Sequence, residues 1–279
     1  MSLEQISTLV FSKSRPAQLD LALRTFQKHC KYSGEIYVSC NITPEYQSGY
    51  DLVQKYQNDE YEYPACLCKR KSLKDDILEI CQESEYTMFM TDDDIFYRDT
   101  FPEELVTSLF QYHEFDAFFN RLGLNTYVQN PMNRNERVIF PDFTDCEYED
   151  GTKVLLWDMR RVPNWTNFGY NFSVDCTVYR SSDLINYFNY NEVDFGTPNF
   201  FEGSVTNKID IKIAGCSKQS CVFGAPVNRV QNEFQNGAGK SHPLSPEYAN
   251  EQFLLGKRLY PKFTEDIIGA HQEIELEFK

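Results

Sequence analysis

The sequence predicts an α/β protein in which a mixed central sheet is flanked by helices, with a smaller antiparallel lobe. In the first half of the chain, apolar runs of strand length alternate with segments whose apolar residues recur at helical spacing. This alternation is typical of βαβ units with parallel strand pairing. After about residue 115 the pattern changes to short strands that suggest antiparallel pairing. The 279 residues suit one large domain or two small ones, and we expect one domain with two lobes.

The first βαβ unit is well marked. Ile6–Phe11 is an apolar run of strand length, and Ser14 and Pro16 are typical of a helix start. Apolar residues at helical spacing then predict a helix over Pro16–His29. Glu35–Cys40 is expected to be the next strand of the unit.

A second helix and strand lead to a run of three carboxylates. Ser72 and Asp75 form a pair like a capping box, with Asp in place of the usual Glu or Gln, at the start of a helix that ends near Glu83. Glu85–Thr91 is predicted to be a strand, and Asp92–Asp94 follow it directly. Ligands of open α/β sheets bind beyond the carboxyl ends of the strands, so we expect the three aspartates at a ligand site.

The second half is predicted to contain shorter elements. Helices are expected over 103–112, 181–188 and 199–208 and again after residue 245, and strands over 115–122, 137–140, 153–157 and 171–179. The acidic stretch DCEYEDG, residues 145–151, is interpreted as a solvated loop rather than a metal site. The segment before residue 245 is expected to be rich in loops.

The net charge argues against one class of partner. At −15 and a pI near 4.7, the chain is too acidic for a general nucleic-acid binder, because phosphate backbones attract basic surfaces. A local basic site for one small anion remains compatible with this charge.

Three features predict a cytoplasmic protein without a membrane span. The N-terminal stretch MSLEQISTLVFSKSRP has Glu4 near its start and lacks the basic and then apolar pattern of a secretory signal. No window approaches 18 apolar residues. Nine cysteines, an odd number, do not indicate a disulfide framework, so we expect reduced thiols.

The aspartate run has the chemistry of a cation site. Three like charges beside apolar residues repel one another unless a cation or solvent offsets them. Mg²⁺ and Mn²⁺ prefer carboxylate oxygens and commonly use one or two protein carboxylates together with substrate phosphates. Aspartate runs are often surface or capping features, but the apolar strand in front of this one favours a site for a metal and a diphosphate.

Several stretches, in the expected order, resemble the GT-A glycosyltransferases of the family 2 type, which have a Rossmann-like donor half and an Asp-x-Asp motif. LVFSKSRPAQL resembles their first strand and nucleotide-contacting loop, and SLKDDILEI with YTMFMTDDDIF resembles the helix and strand before the motif. FGYNFSVDCTVYRSSDLI and PNFFEGSVTNK resemble the elements on the sugar and acceptor side. The resemblance covers residues 6–245. It implies a GT-A domain with a donor half at 1–100, an acceptor half at 101–245, and a C-terminal helical tail at 246–279.

The resemblance also implies roles for individual residues on the donor side. Asp94 is the expected direct metal ligand, Asp92 would meet the ribose or a metal-bound water, and Asp93 would support either. Ser12, Arg15 and Lys74 match positions that contact the nucleotide or its diphosphate. The implied cofactor is Mn²⁺ or Mg²⁺, the donor is a nucleotide-diphosphate sugar, and the acceptor is a carbohydrate or another hydroxyl compound.

On the acceptor side, Glu202 is the expected general base, because FFEGS places one acid among apolar residues, where desolvation raises its pKa. A glutamate on a helix surface is the alternative interpretation. Asp175 either faces the donor sugar or points to solvent. Some GT-A enzymes take a metal ligand from a C-terminal histidine, and His242 in GAGKSHP is the candidate, with an exposed loop histidine as the alternative. The candidate base favours an inverting reaction.

Other functions remain open at this point. A sugar-nucleotide pyrophosphorylase would be expected to have a glycine-rich phosphate loop, and LVFSKSRPAQL has no glycine. A metal-dependent phosphatase or nuclease would need nucleophile and base patterns that we do not find. A carbohydrate-binding relative that has lost catalysis would keep the fold, although the intact acidic triplet argues against it.

Overall fold

A mixed sheet forms the centre of the protein in the computed structural model, which describes residues 5–69, 72–112, 114–130, 134–230 and 238–279. Within these ranges the strands are, in chain order, β1 (Ile6–Lys13), β2 (Ile36–Asn41), β3 (Cys66–Lys69), β4 (Tyr86–Thr91), β5 (Asp94–Phe96), β6 (Phe115–Phe119), β7 (Val128–Asn130), β8 (Arg134–Arg137), β9 (Thr144–Glu147), β10 (Lys153–Asp158), β11 (Thr177–Arg180), β12 (Ile213–Ser217), β13 (Val222–Gly224), β14 (Leu259–Lys262) and β15 (Glu275–Phe278).

Helices cover both faces of this sheet. In the same ranges they are α1 (Pro16–His29), α2 (Gln47–Glu60), α3 (Leu73–Glu83), α4 (Glu103–Leu109), α5 (Ser181–Tyr190), α6 (Pro198–Val205) and α7 (Pro246–Leu254). α1, α2 and α7 pack together, and α3 packs on α5. The predicted α/β class, with a mixed sheet between helices, is confirmed.

The direction of the strands brings several strand ends to one edge of the sheet. The spatial order is β3-β2-β1-β4-β11-β6-β12-β10-β9. β1 to β4 run parallel, β11 is antiparallel to both β4 and β6, and β12 is parallel to β6. The carboxyl ends of β1, β4 and β6 therefore meet the amino end of β11 along one line. We call this line the carboxyl edge.

The core lies on both faces of the central strands. Side chains of successive strand residues point to opposite faces, so Val10 and Met90 join the layer that contains α1, whereas Leu9 and Phe89 join the layer that contains α3. Both faces of β1 and β4 are buried, which explains why apolar residues are consecutive at Leu9–Phe11 and Met88–Met90 rather than alternating with polar ones.

Three two-stranded sheets complete the described structure: β5 with β13, β7 with β8, and β14 with β15. The β14–β15 hairpin is fastened to α1 by Arg258, which donates to the buried carboxylate of Asp20 with an Nη2–Oδ1 distance of 2.5 Å. This hairpin encloses residues 263–274, so its position fixes where that segment lies.

Some predicted elements are wrong in extent or type. Of the expected helical tail at 246–279, only Pro246–Leu254 is helical, and the remainder contains the β14–β15 hairpin. The acidic stretch interpreted as a loop begins within β9, whose exposed edge position tolerates charged residues. The strand expected over 171–179 starts only at Thr177, because Cys176 has a φ of 53° and breaks the extended run. Part of the loop-rich segment, residues 231–237, lies outside the described residues.

Within the described ranges, none of the helices has both the length and the apolar character needed to cross a bilayer.

Candidate active site

The three aspartates lie at the carboxyl edge, as predicted. β4 ends at Thr91, Asp92 and Asp93 form a turn, and Asp94 begins β5. The Asp92 N–H donates to the carbonyl of Phe11 at 3.1 Å, which fixes the turn to β1. The Ala225 N–H donates to the carbonyl of Asp93 at 2.8 Å, which fixes it to the chain after β13. The turn is therefore held from both sides.

Asp92 is enclosed by donors from the loop after β1. Its Oδ2 accepts hydrogen bonds from Ser12 Oγ at 2.8 Å and from the Lys13 N–H at 3.2 Å, and its Oδ1 forms an ion pair with Arg15. The Tyr50 hydroxyl contacts Ser12 Oγ at 2.7 Å and accepts from the Arg15 N–H. Burial raises the pKa of Asp92 to about 6, although Arg15 acts in the opposite direction. Both oxygens of the Asp92 carboxylate therefore already have protein partners.

Asp94 is equally buried, but one of its oxygens is open in the sense that no protein N–H or O–H group donates to it. Its Oδ2 accepts from the Thr91 N–H at 2.9 Å and from Thr91 Oγ1 at 3.1 Å. Its Oδ1 is buried and has no N–H or O–H donor among the described residues, and the weakly donating thiol of Cys176 lies beside the carboxylate. Burial raises the pKa of Asp94 well above its usual range, and the charges of Asp175 and Asp93 add to this. A buried carboxylate oxygen without a partner is energetically unfavourable unless a cation or donor approaches it.

A second ion pair lies across the carboxyl edge from Arg15. Arg121, which follows β6, pairs with Asp175, which precedes β11. Arg121 Nη2 also donates to Ser173 Oγ at 3.1 Å. Burial alone would raise the pKa of Asp175, but Arg121 and His271 lower it below its usual range. Asp175 is therefore held ionised and faces the site rather than solvent.

His271 completes this cluster from the far end of the chain. Its Nε2 lies 2.6 Å from Arg121 Nη1 and 3.2 Å from Asp175 Oδ2. The Gly224 N–H donates to the Ala270 carbonyl at 3.0 Å, and the Gln272 N–H donates back to the Gly224 carbonyl at 2.8 Å. A Cβ at Gly224 would lie 2.3 Å from His271 Cδ2, so the ring can take this position only because residue 224 has no side chain.

Glu202 lies on α6 beside the same cluster. Thr197 caps this helix by accepting from the Phe200 N–H, and Phe201 and Val205 bury its apolar side. The Val174 N–H donates to Glu202 Oε1 at 3.0 Å. Burial raises the pKa of Glu202 to about 7, and the charge of Asp175 contributes. Such a carboxyl group changes its protonation state near neutral pH, as a general base requires.

The chain is similar in sequence to a protein named as a glycosyltransferase. It is 24% identical to the bifunctional glycosyltransferase pgtA of Dictyostelium discoideum over an alignment of 259 residues. That alignment covers 83% of this chain and 33% of the relative, so the chain spans about a third of the relative's length. No family model matches the chain.

Two solved structures of S. aureus TarS, residues 1–349, also resemble the chain. One, in complex with UDP, has a TM-score of 0.48 at 15% identity and covers 80% of this chain and 61% of its own. The other has a TM-score of 0.46 at 12% identity and covers 79% of this chain and 60% of its own.

The carboxylates fit a hard divalent cation. Among the described residues, no group of three or more His, Cys, Asp or Glu side chains is arranged so that it could hold a metal ion by itself. Mg²⁺ and Mn²⁺ need only one or two protein carboxylates when substrate phosphates and water supply the other ligands. Asp94 offers its buried open oxygen, and Asp93, whose side chain is 18% exposed, lies in the same turn. Asp92 would have to give up hydrogen bonds in order to bind a metal.

The two remaining predicted site residues, Lys74 and His242, contact residues outside this cluster. Lys74 is exposed on α3, with its ammonium group 5.8 Å from the centre of the Phe195 ring. The His242 side chain is exposed, and the backbone N–H of this residue donates to Glu273 Oε2. Both assignments stay predictions.

Sequence reasoning missed Arg121, Tyr50 and His271. Arg121 and Tyr50 lie in no recognised motif. A sequence signal for His271 did exist: the chain has only four histidines, and His271 follows His242 in the C-terminal part, where a histidine ligand was expected.

Proposed function

We propose that this chain is a GT-A type glycosyltransferase domain, with Asp-x-Asp residues 92–94, that transfers a sugar from a nucleotide-diphosphate sugar to a hydroxyl acceptor. The observation that carries the proposal is the open oxygen of Asp94, buried at the carboxyl edge next to Asp93 and Asp175. The similarity to a protein named as a bifunctional glycosyltransferase, over most of this chain, supports it.

Mn²⁺ or Mg²⁺ is the proposed cofactor, held by Asp94 with support from Asp93 and, on the far side, His271. When bound, such a cation stabilises the negative charge of a departing diphosphate. Asp92 has a different proposed role, which is to hold Arg15 and the loop after β1 in place for the nucleotide. Ser12 contacts Asp92, and Arg15 Nη1 lies 3.8 Å from Asp93 Oδ2, so Arg15 is the proposed cation for the diphosphate.

Glu202 is the proposed general base. Its carboxylate, charged above about pH 7, takes the proton of the acceptor hydroxyl as the oxygen attacks the sugar. Asp175 lies close to both Glu202 and Asp94, since its charge raises the pKa of both groups. Arg121 keeps Asp175 ionised, so the donor sugar is expected beside Asp175. A base placed in this way favours inversion at the anomeric carbon.

The test is a panel of UDP-, GDP- and other nucleotide-diphosphate sugars, each with and without Mn²⁺ or Mg²⁺. We expect thermal stabilisation only with the cation, and release of nucleoside diphosphate when a suitable acceptor is present. Stabilisation that needs no metal and survives in Asp94→Ala would contradict the metal assignment.

Two further assays, one with a sugar phosphate and a nucleoside triphosphate and one with carbohydrate alone, separate the other functions. Formation of a nucleotide sugar from a sugar phosphate and a nucleoside triphosphate would indicate a pyrophosphorylase. Binding of carbohydrate without any nucleotide sugar would indicate a non-catalytic relative.

A further inference from the structure

Three consecutive backbone amides, those of Lys240, Ser241 and His242, converge on one carboxylate. The Lys240 N–H donates to Glu273 Oε1 at 3.0 Å, and those of Ser241 and His242 donate to Oε2 at 2.8 and 2.9 Å. Successive N–H groups pointing into one concavity form an anion-binding nest, of the kind that holds phosphate groups in many proteins. We call residues 240–242 the amide nest.

The loop geometry that creates the amide nest depends on glycine. Gly239 has a φ of 71°, in the left-handed region that favours glycine. A Cβ at this position would lie 2.7 Å from the Val227 carbonyl oxygen. The Gly239 N–H donates to the Pro226 carbonyl at 3.0 Å, and the Leu244 N–H donates to the Val227 carbonyl at 3.2 Å. The nest is thus fixed at both ends to the chain that follows β13.

That attachment places the amide nest close to the turn that carries the aspartates. Ala225, directly before the residues that hold the nest, donates its N–H to the carbonyl of Asp93. Glu273 lies two residues after His271, and two residues extend the chain by at most about 7 Å. The nest and the carboxylate cluster therefore lie close to each other.

Acidic side chains predominate around the aspartate turn. Arg15 lies near Asp92 and Asp93, and Arg121 lies near Asp94, Asp175 and Glu202. Glu273 adds a further acid. A nucleotide diphosphate approaching these acids needs cations and N–H donors to offset its charge. The amide nest and the exposed ammonium group of Lys240 supply both kinds of group.

We propose that the amide nest binds the diphosphate of the donor and that the Glu273 carboxylate occupies the same N–H groups in competition with it. The inference rests on the proposed function for the identity of the donor, but the anion site itself does not depend on it. Entry of a diphosphate releases Glu273, so the C-terminal segment that carries His271 responds to donor binding.

The first test uses inorganic pyrophosphate with the full chain at fixed Mg²⁺. Glu273→Ala vacates the nest, and Glu265→Gln, an exposed acid of the same segment, is the matched control for charge. We expect calorimetry to show about tenfold tighter pyrophosphate binding in Glu273→Ala than in wild type, because the competitor has been removed. Glu265→Gln should bind as wild type does.

A second measurement reads the site directly. In wild type and in Glu273→Gln, which keeps the length of the side chain, the amide signals of residues 240–242 should shift in ¹H–¹⁵N spectra as pyrophosphate is added. If Glu273 only fastens the loop, Glu273→Ala will bind pyrophosphate no more tightly than wild type, or these amides will not respond. Either result overturns the proposal.

The same binding measurements with a nucleotide sugar distinguish the competition by Glu273 from the proposed function. Tighter pyrophosphate binding without any nucleotide-sugar binding would contradict the proposed function and leave the anion site standing. Metal-dependent nucleotide-sugar binding that Glu273→Ala does not tighten would contradict the competition and leave the function standing.

Discussion

Asp92 and Asp94 are two residues apart in one turn and both are completely buried, yet their carboxylates are in opposite situations. Asp92 is surrounded by donors from the loop after β1 and is paired with Arg15. Asp94 keeps one oxygen without an N–H or O–H donor among the described residues and faces the charge of Asp175. Burial alone therefore does not identify a metal ligand. The number of protein donors around each oxygen separates a structural carboxylate from one that is available to a ligand.

The largest effect is expected at the open carboxylate. Asp94→Asn keeps the shape but removes the charge, and we expect transfer to fall by about 10⁴-fold, because a bound cation contributes several kcal/mol to charge stabilisation. Metal-dependent donor binding should be lost while the fold is retained. Steady-state rates and thermal shifts measure both. Asp145→Asn on exposed β9 is the control, and an active Asp94→Asn would contradict the assignment.

Substitution of the proposed base, Glu202, is expected to have the second largest effect on transfer. Glu202→Gln should lower transfer by about 10³-fold with donor binding unchanged, because a positioned base typically contributes 10²–10⁴-fold. Rates and donor affinity are measured side by side, with the exposed Glu192→Gln as control. Full transfer in Glu202→Gln would remove this residue as the base.

The enclosed carboxylate should behave as a structural one. Asp92→Asn leaves Arg15 with a buried, poorly paired charge, and we expect the free energy of unfolding to fall by about 3 kcal/mol. Urea unfolding measures this. If Asp92→Asn instead keeps its stability and loses metal-dependent donor binding, Asp92 is a metal ligand and the contrast with Asp94 fails.

The two C-terminal histidines give a matched pair. His271 contacts Arg121 and Asp175, whereas His242 is exposed. We expect His271→Ala to weaken metal-dependent donor binding by about 10- to 100-fold, the range seen when groups that support a metal site are removed. His242→Ala should have little effect. Calorimetry with Mn²⁺ and donor tests this, and the reverse order of effects would restore the prediction from the sequence.

The smallest expected effect is the dependence of the transfer rate on pH. Glu202 must be deprotonated to act as a base, and its pKa is raised to about 7 by burial. Below that pH the rate should fall about tenfold per pH unit, and above it the rate should level off. A profile of kcat between pH 5 and 9 measures this. If kcat instead begins to fall only near pH 4.5, a carboxyl group with an ordinary pKa controls the rate.

The elements that were predicted well have local signals. α1 has apolar residues at helical spacing and an early proline. α3 begins at Leu73 and is capped by Ser72, whose side chain accepts from the Asp75 N–H at 3.0 Å. α2 was missed because its buried side is small, with only Tyr50 and Val53 as large apolar residues. β12 and β13 are short and contain glycine, so their strand character depends on their neighbours in the sheet.

By itself, the sequence determined the α/β class, the position of three aspartates at the end of an apolar strand, and an acid within an apolar helix. These features follow from the spacing of residues close together in the chain. Only the tertiary structure decided which aspartate has an open oxygen, and which arginine and histidine face it. Arg121 and His271 are 150 residues apart and meet because β6 ends at the carboxyl edge and Gly224 admits the histidine ring. Contacts of this kind depend on strand order and close packing, which local periodicity does not encode.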